Sequence, residues 1–322
     1  MIDRKQRYRA LCRSEDALPL FSQDWWLDAV AGEDWDVALC LKDDQVVASM
    51  PFVVKKRAGL KLLTMPVLTQ HLGPWFKPTS AKYSKRLAHE KDLLTELVGQ
   101  LSAYNFDHFA AGWPSSKTNW LPFYWAGFAQ TTRYTYILDN LNDHTALWDQ
   151  FQQNIRGDVR KAEGRFSLKI RTDLDVDEFL KLNNLVFQRQ GMKVPYSRDL
   201  VKRIDDACAE RKRRAILIAE DPEGRRHAGV YIVWDQNSAY YIMGGGDPEL
   251  RNSGATSLCM WEAIKLASTV TKAFDFEGSM LEPVERFFRG FGASQVPYFS
   301  ITKTPSKLLK TYFFLQDLRR KG

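Results

Sequence analysis

A chain of 322 residues is long enough for two domains of ordinary size, and 44% hydrophobic with 13% aromatic content excludes an intrinsically disordered protein. Its formal charge of +7 makes the surface mildly attractive to anions without selecting nucleic acid or membrane. The four cysteines, Cys12, Cys40, Cys208 and Cys259, form no C-x-x-C pair, so mostly buried free thiols are expected in place of a disulfide framework or a zinc site. No apolar run reaches the roughly 18 residues of a membrane helix. The Met-Ile-Asp-Arg-Lys start lacks the apolar core of a signal peptide, so a cytoplasmic protein without a transmembrane segment is expected.

In the first half, Ser22 stands where it could cap a short helix over 23–30 that carries acids in its first turns. Trp35 to Leu41 and Gln45 to Val54 read as a hairpin through Lys42-Asp43-Asp44. Leu60 to Met65 offers a third strand, 66–76 a long loop and Tyr83 to Ser102 a helix. A strand over Phe106 to Ala111, a short aromatic helix near Trp120 to Trp125 and a strand over Thr131 to Leu138 follow. His71 has no second histidine or carboxylate spaced to join it, so it is expected to pack among Trp75 and Phe76, and no metal site is predicted.

After Asp143, a plausible N-cap, Leu147, Phe151, Ile155, Val159 and Ala162 recur at helical spacing and set Arg156 and Arg160 on one flank. Gly157 interrupts this helix, which suggests close packing or a bend. Arg156, Arg160 and Lys161 read either as a solvated basic face or as anion contacts. Next come a strand (Leu168 to Arg171), helices over Val176 to Gln190 and, capped by Ser197, Arg198 to Arg213, and strands over Ala215 to Glu220, Ala228 to Trp234 and Ala239 to Met243. The stretch Gly244 to Ser257 then leads into an amphipathic helix. It reads either as a tight turn with a cap or as a phosphate cradle at a helix N-terminus. A strand (Ala273 to Glu277), a helix (Glu282 to Arg289) and a strand (Gln295 to Thr302) close the unit.

The element order of the second half echoes the first, and short strings recur: Phe106-Asp107 against Phe274-Asp275, and Phe123 to Phe128 against Phe287 to Phe291. Similarity at a period of about 165 residues indicates duplication of one α/β unit, with the glycine turn in the second copy only. The expected domains are residues 1–142, 143–305 and a C-terminal helix, 306–322, packing back across the domain boundary.

Three segments carry a family resemblance: Asn154 to Ala162, the Arg251-to-Thr256 turn, and Phe274 to Ser279 followed by Phe287 to Gly292. Through them the chain resembles the GNAT acyltransferase superfamily and its double-domain FemAB-like branch. Met65-Pro66 and Thr69 to Pro74 look like strings of bacterial members. The resemblance implies an α/β (α+β) fold of two tandem GNAT-like domains, each a mixed, mainly antiparallel sheet flanked by helices. It implies transfer of an acyl group to an amine from acyl-CoA as co-substrate or, in Fem ligases, from aminoacyl-tRNA to a peptidoglycan precursor or peptide. It also places the donor pyrophosphate on Arg251, Asn252, Ser253, Gly254, Ala255 and Thr256, without a full Q/R-x-x-G-x-G/A pattern. Phe287 and Phe288 stand where many such enzymes carry a tyrosine acid.

Direct aminolysis needs a group that takes a proton from the attacking ammonium and donors for the developing oxyanion. Strand alternation puts Asp275 and Glu277 on one face and Phe274 and Phe276 on the other. Glu277 is the expected base or amine-positioning acid, with a structural ion pair as the competing reading. Tyr240 and Tyr241 point to opposite faces, and Tyr241 is the expected proton donor, with buried packing the alternative. Gln70, Arg156, Arg160 and Lys161 are expected acceptor or phosphate contacts. An acyl-CoA-dependent N-acyltransferase is the leading reading, ahead of an aminoacyl-tRNA-dependent transferase and a non-catalytic scaffold. The acceptor is expected in the cleft between the domains.

Overall fold

The computed structural model describes residues 3–15, 17–278 and 280–321. In chain order the first half forms α1 (Arg4–Ser14), α2 (Asp24–Ala31), β1 (Trp35–Lys42), β2 (Gln45–Arg57), β3 (Leu60–Thr64), β4 (Trp75–Phe76), α3 (Tyr83–Ser102), β5 (His108–Gly112), α4 (Leu121–Trp125) and β6 (Ala129–Asp139). The second half forms α5 (His144–Gln150), α6 (Gln153–Gly164), β7 (Lys169–Arg171), α7 (Val176–Arg189), α8 (Arg198–Glu210), β8 (Arg214–Glu220), β9 (Arg226–Trp234), β10 (Ser238–Gly246), α9 (Ala255–Ala267), β11 (Ala273–Asp275), α10 (Glu282–Arg289), β12 (Ser294–Lys303) and α11 (Lys307–Lys321).

Two compact units share these elements: residues 1–133 with 297–322, and residues 134–296. In the first, the strand order is β1-β2-β3-β5-β12, with β4 on β2. Strands β1 to β3 are antiparallel, β3 and β5 are parallel, and β5 meets β12 antiparallel, Ser300 opposite Gly112. In the second, the order is β7-β8-β9-β10-β11-β6, again antiparallel except for the parallel pair β10 and β11. The units thus share one pattern, and each takes one strand from the other half of the sequence. Strand β6, expected to finish the first unit, pairs with β11 through Ala273 opposite Asp139; β12, expected to finish the second, pairs with β5. The chain therefore crosses between units inside β6 and β12, ahead of residues 142 and 305.

Local chemistry explains most element ends. Asp143, Asp175 and Ser197 accept backbone N–H bonds at the starts of α5, α7 and α8. Ser22 is not a cap: it is buried in a 3-10 turn, Leu20–Ser22, where its carbonyl accepts from the Tyr8 hydroxyl, and Gln23 precedes α2 instead. The helix expected to run from 147 to 162 breaks at Phe151, which takes an extended backbone and packs its ring on Trp261 and Phe291 at 5.1 Å. Gly157 does not pack closely, since a Cβ there would meet no atom within 4 Å.

The first unit's core joins β2, β3, β5 and α3 through Phe52, Leu63, Phe109 and Leu97, with Phe123 and Phe128 4.8 Å apart beneath them. The second unit's core gathers Phe274, Phe276, Phe288 and Phe291 with the inner face of α9. These are the aromatic strings that echo in the sequence, buried in both copies. Helix α11 belongs to the first unit, where Phe313 lies 5.1 Å from the His108 ring. All four cysteines are buried and outside any disulfide; burial pushes their thiols up to about 12.

The glycines 244–246 belong to β10 itself. A Cβ on Gly245 would sit 2.5 Å from the Asn183 nitrogen and 2.7 Å from the Leu182 carbonyl carbon, so this glycine exists to let α7 lie on the strand. Gly245→Ala should cost about 1–3 kcal/mol. Gly157→Ala, in open helix space, should add about 0.5–1 kcal/mol. Urea unfolding of the two variants checks the contrast; equal effects would contradict it.

Candidate active site

The second unit opens where two strands part. Strand β10 stays antiparallel to β9 as far as Gly246 opposite Ala228, but its parallel ladder to β11 runs only from Ser238 opposite Ala273 to Tyr240 opposite Asp275. A bulge between Tyr241 and Met243 coincides with that end. Bulges re-aim a strand and stop its pairing. Beyond Tyr240, the N–H groups of β10 on this edge are not spent on the β11 ladder, which makes them candidate donors to an acyl oxygen.

The acids lie at the same end. Asp275 is buried, accepts from the Thr135 hydroxyl, and accepts the Glu277 backbone N–H at 2.8 Å. Glu277 itself is at φ +60, in the left-handed region that costs a non-glycine residue about 1–2 kcal/mol. Its neighbour explains the conformation: at Gly278, φ +29, a Cβ would fall 2.1 Å from the Tyr134 carbonyl oxygen, so the chain turns flush against β6. Desolvation, with the nearby Asp275 charge adding to it, holds the Glu277 carboxyl well above the ordinary carboxylate range. Backbone strain and a raised pKa thus coincide on one acid at the strand end. Ser279, the last residue of the recurring string, lies outside the described residues.

The face assignment holds within β11, but the strand ends at Asp275, short of the expected Glu277, which turns out of it. Phe274 and Phe276 enter the core, Phe276 5.3 Å from Phe288, while Asp275 lies on the other face. Of the two tyrosines, it is Tyr240 that sits with the acids. Burial first, then the charges of Asp235, Asp275 and Glu277, raise its phenol well above its usual range, and its hydroxyl donates to Asp235 at 3.2 Å. Tyr241 faces the core, its ring 5.9 Å from Phe288, and its hydroxyl fills the space a side chain at Gly244 would take. Sequence alternation separated the two tyrosines without saying which faced the acids. The register of β10 on β11, pairing Tyr240 with Asp275, decides it.

The start of α9 is built differently from a simple glycine cradle. Arg251–Ser253 form a 3-10 turn, Gly254 is left-handed at φ +81, and α9 begins at Ala255. A Cβ on Gly254 would fall 2.1 Å from the Asp158 carbonyl oxygen, so α6 crosses tightly over this point. Arg251, Asn252 and Thr256 are exposed, whereas Ser253, Gly254 and Ala255 are buried. Ser257 donates to the Asp158 carboxylate at 3.5 Å, and Lys161 binds the same carboxylate at 2.8 Å. Arg156 is half-buried on α6, and Arg160 lies exposed over the Trp148 ring at 5.8 Å. Asp158, absent from the expected set, is thus the residue that joins Lys161 to the helix start.

Gln70 lies in the first unit, in a cavity of about 360 Å3 that it lines with Thr64, Thr69, Arg133, Tyr298 and Ser300. His71 is buried beside it, 5.2 Å from the Tyr298 ring and 6.4 Å from Phe21, so its aromatic neighbours come from elsewhere in the chain than Trp75 and Phe76. Strand β12 supplies Tyr298 and Ser300, which no local pattern ties to Gln70.

Comparison with known proteins agrees with this architecture. Residues 149–280 match the model of the acetyltransferase (GNAT) domain, a span that includes α6, the α9 start, Asp275 and Glu277. FemX superposes with a TM-score of 0.69 at 14% identity, over 97% of this chain and 98% of its own. L-PGS from Bacillus licheniformis gives 0.55 at 10%, over 98% and 97%. A tandem GNAT protein from the clavulanic acid biosynthesis pathway gives 0.54 at 11%, over 93% and 94%. No curated protein matches. Residues 149–280 thus carry a GNAT acetyltransferase domain, and the chain as a whole has the fold seen in FemX and in that tandem GNAT protein.

Because the folded state holds the Glu277 proton more tightly than the unfolded chain, stability attached to this group is present below the ordinary carboxylate pKa, about 4.3, and is lost as pH rises toward the raised value. Glu277→Gln should therefore melt progressively higher than the parent as pH is raised from 4 to 8. A melting difference that does not change with pH would contradict this.

Proposed function

We propose that the chain is an N-acyltransferase that moves an acyl group from acyl-CoA to an amine by direct aminolysis at the parted end of β10 and β11. The observation that carries the reading is Glu277, a desolvated carboxyl beside that opening with a raised pKa. An ammonium acceptor gives its proton to the Glu277 carboxylate, and the freed nitrogen attacks the thioester carbon. Negative charge gathers on the carbonyl oxygen, where β10 N–H groups can meet it. The C–S bond then breaks, the nitrogen gives up its second proton, and the CoA thiolate leaves and takes that proton, directly or through solvent. A thiol of ordinary pKa, about 8.5, leaves readily, so no step needs Tyr241.

The donor pyrophosphate is assigned to Arg251, Asn252 and Thr256, exposed at the start of α9, with the buried Ser253, Gly254 and Ala255 setting the backbone. Asp158 opposes an anion there, but Lys161 neutralises it and leaves Arg156 and Arg160 as the net charge of this flank. Gln70, with Arg133, is assigned to the acceptor.

Aminoacyl-tRNA is the second donor, favoured by the positive charge that half-buried Arg156 and exposed Arg160 leave on this flank once Lys161 is paired with Asp158. The likeness to FemX along nearly the whole chain agrees with it at the level of fold.

Calorimetric titration with acetyl-CoA and longer acyl-CoA, beside filter retention of charged tRNA over a salt series, separates the donors. Saturable heat with a thioester is expected. Its absence, together with tRNA retention that weakens steeply with salt, would transfer the reading to the second donor. With the competent donor, Glu277→Gln should lower acyl transfer about 10²–10⁴-fold. Unchanged turnover would remove Glu277 from the chemistry.

A further inference from the structure

Helix α11 packs on the first unit with one side only. Phe313 faces His108, and Lys310 and Phe313 line a cavity with Gly127 and Ala129. On a helix of 3.6 residues per turn, Leu308, Tyr312 and Leu315 share one stripe, and Phe314 and Leu318 continue it round the outer face. Each of these five side chains is 50% to 69% exposed. Among the described residues no other element presents as many large exposed apolar side chains. Packing across a domain boundary, as expected from the sequence, does not account for the outward half of this helix.

Two further observations say what covers it. The helix sequence carries Lys307, Lys310, Arg319, Arg320 and Lys321 against the single acid Asp317. Lys307, Lys310 and Arg319 are exposed beside the apolar stripe. Next to the start of α11, Lys303 donates to the Ala126 carbonyl at 2.7 Å, and α4, which ends at Trp125, leaves Tyr124 and Trp125 well exposed on the same unit. A basic helix with a solvent-facing apolar stripe, flanked by exposed tyrosine and tryptophan, has the chemistry of a segment that lies in the headgroup region of a bilayer. A second copy fits less well, because two such helices would bring like charges together.

We infer that α11, with Tyr124 and Trp125 beside it, is a docking surface for an anionic lipid bilayer, on which the first unit rests by shallow insertion of Leu308, Tyr312, Phe314, Leu315 and Leu318. The attraction is electrostatic at range and apolar in contact, so both parts are needed. None of these residues belongs to the acyl-transfer site proposed above, and the inference does not depend on it.

The test is sedimentation of the full chain with vesicles of phosphatidylcholine alone and of phosphatidylcholine mixed with phosphatidylglycerol. Binding to the mixed vesicles should exceed binding to the neutral ones about tenfold or more and should weaken as salt rises. The pair Lys307→Glu and Lys310→Glu should remove that preference. Phe314→Ser with Leu315→Ser should abolish binding while leaving the melting temperature within a degree or two, because both side chains already face solvent. Equal binding to both vesicle types, or none to either, would overturn the inference. So would a dimer in light scattering that Phe314→Ser with Leu315→Ser disperses while the parent ignores vesicles, since the stripe would then belong to a second copy.

Discussion

The second unit depends on where the ladder between β10 and β11 stops. Three residue pairs join the strands, the last being Tyr240 with Asp275, and the bulge in β10 ends the pairing. Strand β11 is then held by β6 alone, with Phe276 donating its N–H to the Tyr136 carbonyl at 2.9 Å and Gly278 pressed against Tyr134. One strand is thus clamped on one edge and released on the other. The released edge is where Glu277 turns into its left-handed conformation and where Asp275 and Tyr240 collect. Packing on the opposite face fixes this arrangement: Phe274, Phe276, Phe288 and Phe291 form a ring cluster that leaves little freedom for the backbone carrying the acids.

The exchange of closing strands has the same origin. In a duplicated unit whose parallel pair is followed by an antiparallel strand, either copy's last strand fits either unit. Here β6 closes the second sheet and β12 the first, so β6, which clamps the acids, comes from the first half of the sequence. By the same exchange, β12 brings Tyr298 and Ser300 to the cavity that holds Gln70, and the chain finishes on the first unit with α11.

Much of this was legible in the sequence, because hydrophobic period and turn chemistry are local. Helix α3 falls on Tyr83–Ser102 as read, the Asp143 and Ser197 caps are in place, and the echoed phenylalanines are core in both copies. Alternation placed Phe274 and Asp275 on opposite faces, but Glu277 lies past the end of β11 in a left-handed turn that alternation does not describe. The misreadings share one cause, which is contact between segments distant in sequence. The Gly244–Gly246 run looked like a turn because nothing local shows that α7 lies on Gly245. The break at Phe151 depends on Trp261 and Phe291, and Gly254 serves the crossing of α6. The choice of Tyr240 over Tyr241 needed the strand register, and the pairing of β6 with β11 needed the exchange.

The account rests on Glu277 taking the proton of the attacking amine. The pH dependence of kcat/KM under single-turnover conditions measures that directly. The parent should show an acidic limb whose apparent pKa lies above the ordinary glutamate value of about 4.3, and Glu277→Gln should be slow and lack the limb. The same limb persisting in Glu277→Gln at an undiminished plateau would contradict the account.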